Sequence, residues 1–338
     1  MNKGISIAVF GAGSIGCYVG GRLAAAGGKV TLIGRPRLGA EIAEQGLSLT
    51  DLHGAHLKVA PEALDFSTDA GAANGSALVL VTVKSADTAA AAQALAAVLR
   101  PGTLVISFQN GLSNAQLLRQ ALPAQTVLAG MVPFNVIHRG AGAFHQGSEG
   151  DLEVQRDSAL APFRSVFRQA GLQLKEHADL MPVLWAKLLL NLNNPVNALS
   201  GLPLKTQLSQ RSYRRCVAMA QREGLALLRA RGIHPARITP LPPHWIPWLL
   251  ETPDVLFRRL ANRMLAIDPL ARSSMWEDLE AGRRTEIDWI NGEILRLARE
   301  SGRRAPVNER LIALIRAAEQ GGRRDWSGPE LLQELRRA

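Results

Sequence analysis

Ile5-Ser6-Ile7-Ala8-Val9-Phe10-Gly11-Ala12-Gly13-Ser14-Ile15-Gly16 decides how the first half of the chain folds. An apolar run of strand character breaks into a glycine-rich turn, and a second apolar segment, Ile15 to Leu23, follows at once. A strand that turns on glycines into a helix aims backbone N–H groups at an anion. Gly11 lets the chain turn tightly and Gly13 lets a pyrophosphate approach the backbone. Gly16, with Gly20 and Gly21 beyond it, lets the helix pack close to the strand. Gly-x-Gly-x-x-Gly alone is a weak signal, because glycine turns are common. The flanking strand and helix supply the context the motif requires. Residues Gly11, Ala12, Gly13, Ser14, Ile15 and Gly16 are therefore the expected phosphate cradle of a dinucleotide.

Outward from this stretch, short strands and helices alternate. Val30–Ile33, Ala77–Val83, Leu104–Phe108 and Val127–Val132 read as strands, and Ser14–Ala26 and Asp87–Leu99 as helices. Leu47–Leu49 and Leu57–Val59 read as a small hairpin about Gly54. Gly142–Val154 reads as antiparallel strands, Pro162–Ala170 as a helix and Leu172–Lys175 as a last strand. This rhythm predicts an α/β fold whose N-terminal half is a Rossmann-type, doubly wound parallel sheet. From about Ala178 helical periodicity replaces it. Leu184–Asn194, Arg211–Arg231, Val255–Ile267, Ser273–Ala281, Glu286–Glu300 and Asn308–Gln320 read as helices, with Pro240–Pro247 as a proline-rich connector. The expectation is a nucleotide-binding domain over 1–177, an all-helical substrate and catalytic domain over 178–338, and a cleft between them.

Composition narrows the function. The chain has 338 residues and a formal net charge of +10. Its arginines are scattered through helical segments rather than gathered in a basic arm, which argues for a solvated surface that attracts small anions and against nucleic acid. No apolar run approaches the ~20 residues that span a bilayer, and no signal-peptide pattern is present. Two distant cysteines, Cys17 and Cys216, give no disulfide framework. These features predict a cytoplasmic protein without a membrane partner. The seven histidines show no metal-ligand spacing, so no metal is expected. No heptad marks an oligomer interface, and a homodimer through the helical domain stays open.

The second strand ends in Ile33-Gly34-Arg35-Pro36-Arg37, with no carboxylate for the ribose hydroxyls that NAD presents. Arg35, with Arg37 near it, can pair with a 2′-phosphate instead, which selects NADP(H). A surface arginine in a turn is the plainer alternative. Lys84 and Asn110 terminate two further strands, at the edge where such sheets gather ligands.

In the helical half, Leu184-Trp-Ala-Lys187-Leu-Leu-Leu-Asn191-Leu-Asn-Asn194-Pro195 places Lys187, Asn191 and Asn194 on one face of a leucine-rich helix. A lysine and two amides on such a face are costly to bury without partners; a stripe facing water is the alternative. Pro195 cannot donate to the Asn191 carbonyl and should kink the helix there. Further on, Thr285 is suited to N-cap a helix with Asp288 bonding back, and Glu286 then falls in the first turn. Capping alone would also explain Glu286.

The glycine loop, Val81-Thr-Val-Lys84, Gln109-Asn110-Gly111, Trp185-Ala-Lys187-Leu with Asn191, Ser273-Ser274-Met275, and Thr285-Glu286-Ile-Asp-Trp-Ile-Asn291-Gly292 together resemble the 2-dehydropantoate 2-reductase (ketopantoate reductase) family. The resemblance runs in order from Ile5 to about Arg310. It implies NADPH-dependent reduction of 2-dehydropantoate to (R)-pantoate, on the route to pantothenate and coenzyme A. It implies that Lys187 is the catalytic lysine and Glu286 its acidic partner. It places Asn110, Asn191, Asn194 and Ser274 at substrate positions, and Lys84 and Arg35 on the cofactor side. Two departures stand out. The stretch from Lys187 to the Asn-Pro pair is one residue shorter than in the family's pattern, which leaves Asn193 and Asn194 in competition for the substrate. Some members also carry an asparagine where this chain has Ala271. That departure keeps open a reductase of another branched 2-keto acid. A noncatalytic NADP-binding sensor is the remaining alternative, though it needs neither Lys187 nor Glu286.

Overall fold

The computed structural model describes residues 5–260 and 271–338. The chain divides into two units between Leu180 and Met181.

The strands of the first unit are β1 Ser6–Phe10, β2 Lys29–Ile33, β3 Leu47–Thr50, β4 His56–Val59, β5 Asp65–Ser67, β6 Leu78–Val81, β7 Leu104–Ser107, β8 Thr126–Met131, β9 Val136–Gly140, β10 Ala143–Gln146, β11 Leu152–Gln155 and β12 Leu174–His177. Its helices are α1 Ser14–Ala25, α2 Pro36–Gln45, α3 Thr88–Ala96, α4 Asn114–Ala121 and α5 Arg164–Gln169. The main sheet runs β12-β11-β8-β7-β6-β1-β2-β5. From β8 to β5 every pairing is parallel. Strand order reverses between β1 and β6, which makes their carboxyl ends the topological switch point where this architecture binds ligands. The expected doubly wound sheet is present. Its strands read as continuous apolar runs because both faces are covered. Ile7 and Val9 of β1 join one core, while Ala8 joins the other.

The hairpin about Gly54 forms, with Leu49 opposite Leu57. The antiparallel strands expected over 142–154 form, but in two different sheets. β10 pairs antiparallel with β9 and parallel with β3, whereas β11 joins the main sheet, antiparallel to β8 and parallel to β12. Sequence alternation marks a strand without naming its neighbour.

The second unit is helical: α6 Met181–Asn191, α7 Asn193–Ser200, α8 Leu204–Leu208, α9 Arg211–Ala230, α10 Ile246–Glu251, α11 Asp254–Leu260, α12 Ser274–Glu280, α13 Ile287–Glu300, α14 Pro306–Glu319 and α15 Gly328–Arg336. The helix expected over Val255–Ile267 is seen from Asp254 to Leu260; its remainder lies outside the described residues. Twenty-residue α9 is the centre, packing against α6, α7, α8, α10, α13, α14 and α15. Its buried stripe, Tyr213, Cys216, Val217, Ala220, Gly224, Leu227 and Leu228, follows the i, i+3, i+4 spacing of a core-facing helix. At Gly224 an added Cβ would come within 3.0 Å of Leu189, so the missing side chain sets how closely α6 approaches. Arg214 is fully buried on the same helix. It donates to the carbonyls of Leu208, Leu250 and Thr252 and to Asp254, which pins α8, α10 and α11 in place.

Candidate active-site residues

In the first unit the glycine turn leaves β1 as the sequence predicts. Gly11 adopts φ +117°, a conformation a side chain would strain. Its N–H and that of Ala12 both donate to the Ile33 carbonyl, at 2.9 and 2.8 Å. Gly16 is pressed against this turn: a Cβ there would lie 2.3 Å from the Gly11 carbonyl oxygen. Gly13 differs, because a Cβ on it would meet nothing within 4 Å. It is the N-cap of α1, and no side chain caps that end. The opening amides of α1, at Ser14, Ile15 and Gly16, thus end a helix whose dipole favours an anion, beside space a side chain would have filled. These residues fit a pyrophosphate. Thr82 was not anticipated; its hydroxyl donates to the Gly11 carbonyl at 2.7 Å and ties the loop to the segment after β6.

Arg35 is exposed and serves as the N-cap residue of α2, itself not expected from the sequence. The strand ahead of Lys84 is shorter than expected: β6 ends at Val81, and Lys84 caps a 3-10 turn over Ser85–Asp87. Asn110 follows β7 and precedes Gly111, which has φ +91°. A knot of buried polar side chains joins these two loops. Ser85 donates to the Asn110 carbonyl at 2.9 Å, and the Asn114 amide donates to the same oxygen. Gln109 donates to the Val83 carbonyl and to Thr88, and Thr88 donates to Asn114. Lys84 and Asn110 therefore stand on loops braced by a common network.

In the second unit Lys187 sits half-buried on α6, with Leu184, Trp185, Ala186, Leu188 and Leu189 all buried around it. Burial disfavours its charged form and lowers its pKa from 10.5 to about 8. The helix breaks where Pro195 predicts: α6 ends at Asn191, and α7 restarts at Asn193. The expected single helix over Leu184–Asn194 is thus two, and Asn191 and Asn194 flank the break. The side-chain oxygen of Asn193 is buried there without a partner. Ser273 caps α12 by accepting from the Trp276 N–H, which puts Ser274 in the first turn. Packing of α12 on α7 brings this turn to the Asn194 segment, where the Ser273 hydroxyl lies 3.3 Å from the Asn194 carbonyl.

Glu286 is buried at 5% exposure, and it, rather than Thr285, is the N-cap residue of α13. The expected bond back from Asp288 does not form. Asp288 pairs with Arg284 and Arg316, and Glu319 accepts the Thr285 N–H at 2.7 Å. A neighbouring helix has supplied the carboxylate that a local capping box would have supplied. Among the described residues, no group of three His, Cys, Asp or Glu side chains could hold a metal, and no helix is long and apolar enough to cross a membrane.

Residues 7–158 match the family described as ketopantoate reductase PanE/ApbA, and residues 179–319 match its C-terminal counterpart. The chain belongs to the ketopantoate reductase family. A PanE/ApbA family ketopantoate reductase from Ralstonia eutropha JMP134 is 33% identical, with a TM-score of 0.79 over 94% of this chain and 99% of that one. The 2-dehydropantoate 2-reductase of Halobacterium salinarum is 29% identical over 308 residues, covering 89% of this chain and 94% of the relative. D-Mandelate dehydrogenase, solved with NADH and anilino(oxo)acetate, shares the fold at 20% identity and a TM-score of 0.75, over 94% of this chain and 99% of that one. Membership makes the chain an oxidoreductase with a nicotinamide-binding fold.

Within the chain, the sequence motifs divide by what they do. Asn291 and Asn308 form a buried pair at 3.0 Å that ties α13 to α14. Glu223 of α9 accepts the N–H groups of Val307 and Asn308 at the start of α14. Asn291 was visible only as part of a motif, and its buried side chain serves packing. Asn197, Ser85, Thr88 and Asn114 were not singled out as candidates, because their partners lie far along the chain.

Proposed function

We propose that this chain reduces 2-dehydropantoate to (R)-pantoate with NADPH, in pantothenate and coenzyme A biosynthesis. The cofactor, when bound, supplies the hydride. The amides of the Gly11–Gly16 turn hold its pyrophosphate, Arg35 pairs with its 2′-phosphate, and Lys84 and Asn110 serve it from the braced loops. Hydride addition leaves negative charge on the ketone oxygen, which requires a proton donor within hydrogen-bond reach. Lys187 is that donor. Glu286 holds the substrate hydroxyl, and Asn110, Asn191, Asn194 and Ser274 orient its remaining polar groups.

The observation that carries this reading is Lys187 half-buried among the leucines of α6. A lysine with a pKa near 8 is still protonated at neutral pH, yet releases its proton more readily than an exposed one. Steady-state assays decide the substrate and the cofactor. The expected result is a higher kcat/KM for 2-dehydropantoate than for simple 2-keto acids, and for NADPH than for NADH. A preference for another branched 2-keto acid, the reading Ala271 favours, would move the substrate assignment and leave the reaction. NADPH binding without turnover would mark a sensor. The proposal includes a cytoplasmic homodimer: Trp245 and Trp248 leave a neighbouring pair of aromatic surfaces 59% and 73% exposed. Light scattering tests the assembly, and a monomeric mass contradicts it.

A further inference from the structure

The segment 271–274 lies along α7 and the turn after it, outside any sheet, yet its backbone is zipped in place. The Leu204 N–H donates to the Ala271 carbonyl at 2.9 Å. Arg272 donates to the Gly201 carbonyl at 2.7 Å, with its guanidinium 3.9 Å above the Trp276 ring centre. The Ser273 N–H donates to Oδ1 of Asn197 at 2.9 Å. The other end of the Asn197 amide donates to the Leu202 carbonyl at 2.9 Å. Asn197 is fully buried, so neither end has water as a substitute.

Two features make Asn197 more than a filled polar site. It lies one helical turn beyond Asn194 on α7, and its partner Ser273 immediately precedes Ser274. Ser273 uses its hydroxyl to cap α12, so its own N–H needs an outside acceptor. The Asn197 amide is the acceptor, held in orientation by Leu202. We infer that Asn197 is a positioning residue that fixes the distance between the Asn194 and Ser274 substrate positions, while its own amide faces backbone rather than substrate. This deepens the functional reading above and rests on it.

Two variants test it. Asn197→Leu keeps the branched shape of the side chain, with bulkier ends, and removes both hydrogen bonds. Asn197→Asp keeps an acceptor for the Ser273 N–H but turns an oxygen toward the Leu202 carbonyl. Both are expected to melt at lower temperature than the wild type. In Asn197→Leu the KM for 2-dehydropantoate should rise about tenfold, the scale of one buried hydrogen bond. Its kcat should stay within about threefold, and its KM for NADPH should not change. Asn197→Asp should keep a KM for the keto acid closer to wild type than Asn197→Leu does, because the Ser273 contact survives. Added to Ser274→Ala, Asn197→Leu should raise KM by much less than tenfold, since it acts through a position already removed. If Asn197→Leu does not fold, Asn197→Ala, which also removes both hydrogen bonds, carries the same comparison with Ser274→Ala. Lowered melting temperatures with the keto-acid KM unchanged would overturn the inference and leave Asn197 a purely structural residue. So would full additivity with Ser274→Ala. A wild-type chain that fails to reduce 2-dehydropantoate would instead defeat the functional reading and take this inference with it.

Discussion

In the first unit the loop Gly11–Gly16 offers backbone: amides at a helix start, a left-handed turn and the space left by an absent side chain. In the second unit Lys187, Asn191, Asn194, Ser274 and Glu286 offer side chains from four helices. Backbone recognition is set by a few consecutive residues, whereas side-chain chemistry depends on packing between segments more than 70 positions apart. The two kinds of site should therefore fail differently. Damage to the first should show as lost cofactor affinity, and damage to the second as lost turnover with the cofactor still bound.

The sharpest test of that contrast is Lys187→Ala. Turnover should fall by about 10²–10⁴-fold, the range of general acid catalysis, while the Kd for NADPH stays within a few-fold of wild type. Binding is read by fluorescence titration. A parallel loss of affinity would erase the distinction between the units.

Arg35→Ala comes next. Losing one charge-assisted bond to phosphate costs about 1.5–3 kcal/mol, or roughly 10- to 100-fold in NADPH affinity. NADH affinity should not move, and equal losses for both would mean that Arg35 does not reach the 2′-phosphate. The glycines sharpen the comparison inside the first unit. Gly13→Ala should leave the melting temperature nearly unchanged and weaken NADPH, since its Cβ meets open space. Gly16→Ala should lower the melting temperature itself, because its Cβ meets the Gly11 carbonyl at 2.3 Å. Matching melts for the two variants would contradict the assignment of space at Gly13.

The smallest effect concerns stability. Burial lowers the Lys187 pKa from 10.5 to about 8, so the unfolded chain binds this proton more tightly than the folded one. The penalty is therefore complete below about pH 8 and vanishes by about pH 10.5. At 1.36 kcal/mol per unit its ceiling is about 3 kcal/mol, less for a side chain that water partly reaches. Lys187→Met should melt a few degrees higher than wild type at pH 7, and the gap should close as pH rises through this window. An unchanged or lower melting temperature at pH 7 would contradict the lowered pKa.

The same contrast explains what the sequence revealed. The parallel sheet was legible from its glycine turn and its doubly buried strands, because both are local patterns. The break at Leu192 was legible from Pro195, which lacks the N–H that Asn191 would need. The antiparallel strands over 142–154 were legible too, but not the sheet that β11 joins, because alternation does not identify a partner. Glu286 was placed one position too deep in α13 because Glu319, 34 residues from Thr285, replaced the local cap. Asn197 gave no signal at all, since nothing in Asn-Pro-Val-Asn announces a bond to a residue 76 positions away. Each miss involves a polar group whose partner is chosen by tertiary packing.

The central claim, that the half-buried Lys187 ammonium delivers the proton, is tested most directly by the pH dependence of kcat/KM for 2-dehydropantoate at saturating NADPH. A falling limb near pH 8 is predicted for the wild type, and its absence from the residual activity of Lys187→Ala. A wild-type rate that holds level to pH 10, or a limb that persists when the lysine is gone, would contradict it.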